Sequence, residues 1–273
     1  MTRLTALARL FLCLGFLVAA VLVGGVRLLY AARNGDGRAA PATRPATAPA
    51  VDARVAAQLD RTVPDADFAD IRFEDALDIL RDAGTLNLVV DWEALKEAGV
   101  DRNTQVPLRA KGMKVGGALK AVTKAAGDAK DPVTYEVIGP VVFVSTAKGV
   151  AAAANSAAAA EAKLKGARFR AGRPPPVVPE VNFPGIALFD AIDFLRDVSG
   201  HTIAADWKEL KAAGVDKATP VHMRGRDVPL GLALHLMLVT STGGRADFTV
   251  IDGQITITSA AAVAKPPARE PGL

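Results

Sequence analysis

Residues that could carry acid–base or nucleophilic chemistry are few in this chain, and they lie close together in the sequence. The three histidines, His201, His222 and His235, come without an H-E-x-x-H pattern or an i, i+4 pair. They offer no metal-binding helix face and read as surface or partly buried imidazoles. Ser199, His201 and Asp206 supply the three residue types of a hydrolytic triad, but no G-x-S-x-G elbow surrounds the serine. Gly116-Gly117 and Gly243-Gly244 lack the flanking glycines and lysine of a nucleotide loop, so no cofactor is implied. A single cysteine, Cys13, excludes an internal disulfide, a Cys-rich zinc site and a cysteine-ligated iron–sulfur cluster. One acidic pattern stands out. Asp75, Asp78 and Asp82 fall at i, i+3, i+7, and Asp190, Asp193 and Asp197 repeat the spacing. Such a stripe is either a solvated face or a docking surface for a basic partner. Asp82 and Asp197 fall near helix C-termini, where the macrodipole disfavours anions, and Arg81 and Arg196 offset this locally.

The chain has 273 residues with 33 Lys+Arg against 29 Asp+Glu, and the excess of base is not evenly placed. Residues 52–147 hold 12 basic and 16 acidic side chains, and residues 180–260 hold 7 and 10, so both segments are acidic. A nucleic-acid-binding face needs clustered Lys/Arg and is not expected on either. Leu10 to Val26 is uncharged and apolar, with Arg3 and Arg9 before it and Arg27 and Arg33 after it. Residues 1–33 are therefore expected to be a membrane anchor or an export signal. Tyr30 stands where a signal peptidase wants a small residue before a cut after Ala32, which favours an uncleaved anchor with the rest of the chain outside the cytoplasm. If the segment is cleaved, the product is secreted or periplasmic. Residues 34–51 are Pro/Ala-rich and read as a tether. Residues 148–179, with an alanine run of helical propensity and then Pro174, Pro175 and Pro176, read as a connector separating two domains. Residues 261–273 read as a disordered tail.

The two acidic segments are copies of each other. Leu80-Arg81-Asp82 returns as Leu195-Arg196-Asp197, and Asp91-Trp92 as Asp206-Trp207. From Phe68 to Leu119 roughly 20 of about 50 positions match the segment from Phe183 to Leu234 without a gap. Within each copy, apolar residues at i, i+3, i+4, i+7 predict two helices, each entered from an alternating strand. A final pair of alternating runs, joined at Gly139-Pro140 or Asp252-Gly253, predicts a hairpin. Asp91 and Asp206 are expected to open a short helix that Gly99 and Gly214 close, with Trp92 and Trp207 packed beneath its first turn or, as the alternative, offered as ligand-stacking platforms. The expected fold is α+β: two homologous small modules, residues 52–147 and 180–260, each strand–helix, strand–helix, hairpin, and each folding on its own.

This order of elements resembles the short N-terminal domain of secretins and TonB-dependent receptors. The Asp-Trp-x-x-Leu-x-x-Ala-Gly-Val-Asp stretch is similar to the duplicated modules of planctomycete-type envelope proteins. The resemblance covers both modules and rests mainly on core and capping positions. It implies a small α+β domain that mediates protein–protein contact. No secretin channel or outer-membrane barrel accompanies the two modules. The expectation is a non-enzymatic, membrane-anchored envelope scaffold that binds other envelope proteins and uses neither metal, cofactor nor nucleic acid. The alternatives are a receptor for a small envelope ligand held between the modules and a hydrolase using Ser199, His201 and Asp206. For the scaffold, docking is expected by strand addition along Thr249–Ile251 and Gln254–Thr258, or on the aspartate stripes.

Overall fold

Each predicted apolar period becomes an element in the computed structural model, which describes residues 52–63, 67–165 and 177–265. The expected anchor, the tether, the prolines at 174–176 and most of the tail lie outside the described residues. After a short helix α1 (Ala53–Leu59), the first repeat runs β1 (Asp67–Arg72), α2 (Phe73–Gly84), β2 (Leu88–Val90), α3 (Trp92–Glu97), β3 (Gln105–Arg109), α4 (Val115–Ala126), β4 (Val133–Ile138) and β5 (Val141–Thr146). A connecting helix α5 (Ala147–Lys165) follows. The second repeat is β6 (Val177–Ala187), α6 (Leu188–Ser199), β7 (Ile203–Ala205), α7 (Trp207–Ala212), β8 (Pro220–Pro229), α8 (Leu230–Thr242), β9 (Ala246–Ile251) and β10 (Gln254–Ser259), closed by α9 (Ala260–Ala264). The protein is mixed α+β, with nine helices and four small sheets among the described residues.

The sheets repeat with the sequence. β1 pairs antiparallel with β3, as β6 does with β8. The other two are three-stranded, ordered β2-β5-β4 and β7-β10-β9, with a parallel pair on one side of the central strand and the hairpin on the other. Asp252 and Gly253 both have positive φ, as a two-residue I′ turn requires. β10 is therefore a central strand, paired on both sides, and Gln254–Thr258 offers no free edge. On β9 the Phe248 N–H donates to Asp247 Oδ1 (2.7 Å) and its carbonyl accepts from Lys163 Nζ (2.8 Å), so side chains already occupy part of that edge. Strand addition is thereby lost along Gln254–Thr258, and along Thr249–Ile251 it has only the part of the β9 edge that follows the occupied Phe248.

The two repeats do not keep separate cores. Val89, Ile138, Val141 and Phe143 of the first repeat belong to the same buried cluster as α6, α8, β8 and β10 of the second. The cause lies in the sequence of α8, Leu-Gly-Leu-Ala-Leu-His-Leu-Met-Leu, which is apolar all round, where the one-faced period of α2 and α4 demands cover on one side only. Against one side of α8 pack β8, β9 and α6, and against the other pack α5 and α3. Its buried Thr240, Ser241 and Thr242 hydroxyls are satisfied by carbonyls one turn back, Leu236, Met237 and Leu238, at 2.9, 2.6 and 2.6 Å.

The connector is part of this packing, contrary to its expected role as a separator. Val150, Ala153, Ala157, Ala160 and Leu164 form a buried stripe along α5. Small side chains allow close approach: a Cβ on Gly231 of α8 would sit 2.7 Å from Leu164 Cδ1 and 3.0 Å from the Ala160 carbonyl oxygen. Two charges on α5 also reach the second repeat. Glu161 Oε1 accepts the Leu232 N–H at 2.7 Å, capping a helix whose N-cap, Pro229, has no side-chain bond to give. Lys163 pairs with Asp247 at 2.7 Å. Asn87 completes the junction. Its amide donates to the Arg226 carbonyl (2.7 Å) and accepts the Arg226 N–H (2.9 Å), pairing with the backbone of β8 as a neighbouring strand would.

The copies differ where they face outward. In the first repeat every residue from Val141 to Ser145 on β5 is buried, so its sheet is covered on both faces. In the second, Ala204, Thr249 and Thr256 share a partly exposed face, with Ile251 63% exposed beside exposed Gln254.

Two outcomes are expected from this packing. Residues 180–260 expressed alone, without α5 and the first repeat, should give no cooperative thermal transition by circular dichroism, whereas residues 50–273 should unfold in one step. Asn87→Ala should lower stability by about 1 kcal/mol in urea titration, the net loss of two solvent-accessible hydrogen bonds to the Arg226 backbone that water partly replaces.

Candidate functional site

Where α5 crosses between the repeats it leaves a groove of about 800 Å³ against α3, α8 and α9. Alanine creates this room: Ala152, Ala159, Ala246 and Ala260 wall it, with Val239 and Val263, because no side chain is long enough to fill the space between the helices. At its floor Ser156 on α5 meets His235 on α8, Oγ to Nε2 at 3.0 Å. The Ser156 hydroxyl also donates to the Ala152 carbonyl at 2.7 Å, and His235 hydrogen-bonds the Ala153 backbone, so the α5 backbone holds both partners of the pair. A hydroxyl whose proton is held by a carbonyl of its own helix is not arranged as an activated nucleophile. The Lys163–Asp247 ion pair lies in the same wall, and the rim carries exposed Glu93, Glu97 and Asp131 against Lys148.

Two titratable groups in this groove are shifted by burial. Asp91 is 4% exposed, and desolvation raises its pKa, although the Ala94 N–H (3.2 Å) and the Ser145 hydroxyl (3.1 Å) both donate to it. Burial lowers the pKa of His235, partly countered by a hydrogen bond to the Ala153 backbone and by Asp247. A concave, largely apolar site with a few polar groups and shifted pKa values is the usual form of a small-molecule pocket. Among the described residues no group of three or more His, Cys, Asp or Glu side chains is arranged to hold a metal.

The residues singled out in the sequence lie partly here and partly elsewhere. Asp91 and Asp206 both cap their short helices, and Gly99 and Gly214 follow those helices with φ of 78° and 74°. Asp91 is buried in the groove wall, whereas Asp206 is exposed. Trp92 and Trp207 are half-buried, each with one face covered by a cation: Arg102 at 4.7 Å from the Trp92 centroid, Lys217 at 5.5 Å from that of Trp207. Trp207→Ala therefore removes less buried area than a fully enclosed indole. Ser199, His201 and Asp206 are each engaged locally. His201 Nδ1 contacts the Ser199 carbonyl at 2.8 Å, Ser199 Oγ receives the His201 backbone N–H at 3.3 Å, and Asp206 receives the Lys208 and Glu209 N–H groups.

Half of the six stripe aspartates are neutralised by arginines three positions away. Arg72 binds Asp75, Arg81 binds Asp78 and Arg196 binds Asp193, all at a spacing of three. Asp82, Asp190 and Asp197 remain as the less engaged members. Gly116 and Gly117 sit in the first turn of α4, and Gly243 and Gly244 end α8 at the groove with positive φ. Ser156 and Lys163 escaped the sequence reading because they lie in a stretch that composition marks as a linker. The one available signal was the polar side chains, Ser156, Glu161 and Lys163 among them, set into an alanine-rich helix.

Compared with protein-family models, with curated proteins and with solved structures, the chain gives no match.

His235 gives the site a measurable pH signature. Its folded pKa lies below the ordinary value of 6.5, so below that pH the unfolded chain takes up a proton the folded chain resists. The stability it provides is complete above pH 6.5 and declines as the pH falls. His222 shifts in the same direction and contributes separately. His235→Gln should flatten the decline in urea midpoint between about pH 7 and 5 relative to the parent chain. Parallel midpoint curves for the two proteins count against this assignment.

Proposed function

We propose that this is a non-catalytic, membrane-anchored envelope protein whose two secretin-N-terminal-like modules act together as one binding body, taking a small ligand in the groove between them. The observation that carries the reading is the make-up of that groove. Its walls come from the first repeat, the connector and the second repeat together, so a ligand there contacts a surface that neither module has alone. A scaffold displaying two separate contact modules has no use for Glu161 and Lys163 tying α5 to the second repeat, or for Asn87 tying β2 to β8. The commitment of the Ser156 proton to Ala152 and the local engagement of Ser199, His201 and Asp206 favour binding over hydrolysis. Apolar walls beneath a rim with Glu93, Glu97 and Asp131 against Lys148 suit an apolar ligand that carries a cationic group.

The anchoring part of the proposal rests on the uncharged run from Leu10 to Val26. Among the described residues no helix is long and apolar enough to cross a membrane. The acidic stripes, with Asp75, Asp78 and Asp193 each paired to a nearby arginine, give a partner protein less to hold than the groove gives a small molecule.

Displacement of the neutral fluorophore N-phenyl-1-naphthylamine from the unit spanning residues 50–273 tests the reading. Octylamine should displace it at lower concentration than octanol, and octanoate least of all. The double variant Ala152→Phe, Ala159→Phe, which fills the groove from exposed positions, should abolish fluorophore binding while keeping the melting temperature. Undiminished binding by that variant sinks the groove as the site.

A further inference from the structure

A second slot, about 200 Å³, opens where β2 of the first repeat meets β8 of the second. It adjoins a space of about 360 Å³ that shares Val90, Trp92, Arg102 and His222 with it. Basic groups converge on the slot from both repeats: Arg81 from α2, Arg102 from the loop after α3, and Arg224 and His222 from β8. Arg102 pairs with Glu74 while its guanidinium covers Trp92 at 4.7 Å, and Arg81 pairs with Asp78. Arg224 has no carboxylate partner among the described residues and donates to Asn182 Oδ1 at 3.2 Å. His222 is fixed at the rim by the bulge opposite it. Gly185, at φ 113°, lets the imidazole lie where a Cβ would approach its Cε1 to 2.8 Å.

The internal repeat provides a control for this site. Arg196, the counterpart of Arg81, uses the same i, i−3 aspartate but turns its Nε to the Ile203 carbonyl at 2.9 Å. In Arg81 the corresponding strand carbonyl, that of Leu88, is reached only by an Nη at 3.4 Å. Its Nε is buried with no hydrogen-bond partner. A buried N–H left unpaired costs about 1–3 kcal/mol and is uncommon in a folded protein. The other pairs also diverge where the slot lies. Glu74 and Arg102 stand where the second repeat has Phe189 and Lys217, and His222 stands where the first has Pro107.

We propose that this slot binds a small monocarboxylate with an aromatic or apolar body. The carboxylate takes the fork of Arg224 beside the Arg81 guanidinium, whose positive charge lies in the slot wall, and the body lies against Trp92, Leu77 and Met223. Charge selects the class of anion. Three guanidiniums against two carboxylates leave one positive charge, with burial and Arg102 holding His222 toward its neutral form. A monoanion balances that excess. A phosphate dianion exceeds it and faces Glu74 and Asp78. The slot is separate from the groove beneath α5, and neither site depends on the other.

Isothermal titration of the full-length chain with benzoate is the test, with benzamide and inorganic phosphate as the paired probes. Benzoate should bind saturably, benzamide should not, and phosphate should bind more weakly than benzoate. Arg224→Gln should weaken benzoate about tenfold. Arg109→Gln, the same change at the counterpart in the first repeat, should leave the affinity as it was. In a Trp207→Phe chain Trp92 is the one remaining tryptophan, and its emission should follow the same isotherm. No saturable heat or Trp92 response with benzoate, equal binding of benzamide, tighter binding of phosphate, or equal losses from Arg224→Gln and Arg109→Gln would each overturn the proposal.

Discussion

A helix with no polar face cannot rest on one neighbour, and α8 sets that condition for the whole molecule. Its leucines point in every direction, so burying the side turned to its own sheets still leaves an apolar side exposed to water. The alanine stripe of α5 and the short helix α3 of the first repeat cover that second side. With α5 held there, the outward face of the β2-β5-β4 sheet is covered as well, and Val89, Val141 and Phe143 become core residues. The polar contacts that accompany this packing, Glu161 to Leu232 and Asn87 to Arg226, fix its register while apolar burial supplies the drive.

The same packing accounts for both cavities. Alanine is small enough to let α5 approach α8 at Gly231, and for the same reason it leaves the space beside Ala152 and Ala159 unfilled. Close contact along one line and an open groove beside it follow from a single composition. The slot at β2 and β8 has a different origin. Two edges of unequal length meet there, three residues against ten, and long cationic side chains span the remainder.

Much of this fold was legible in the sequence, and the illegible part has a physical explanation. The 115-residue offset between Asp91-Trp92 and Asp206-Trp207, the one-faced period of α2 and the Asp and Gly that bound α3 and α7 are local signals, and local signals survive in a linear reading. The joining of the repeats is not local. The alanines of α5 have the same composition whether they form a spacer or a packing surface, and only the run of leucines in α8, 65 residues further along the chain from Lys165 to Leu230, demands the second role. The candidate site was hidden likewise, because Ser156 and His235 are 79 positions apart and neither belongs to a recognisable motif. The slot shows the opposite case. Its residues were visible as departures from the repeat, Glu74 against Phe189 and His222 against Pro107, yet a departure acquires meaning only once the two positions are known to face one another.

The partly exposed threonine face of the β7-β10-β9 sheet gives the chain a direction. Where the first repeat presents valine and phenylalanine to be covered, the second presents Ala204, Thr249 and Thr256, which water can cover. A third unit packed on that face would meet a surface with little apolar area to bury. Exchanging the order of the repeats leaves the greasy sheet as the terminal layer and seats the wettable one inside. The two copies have thus ceased to be interchangeable parts: one is an interior course and the other a coping.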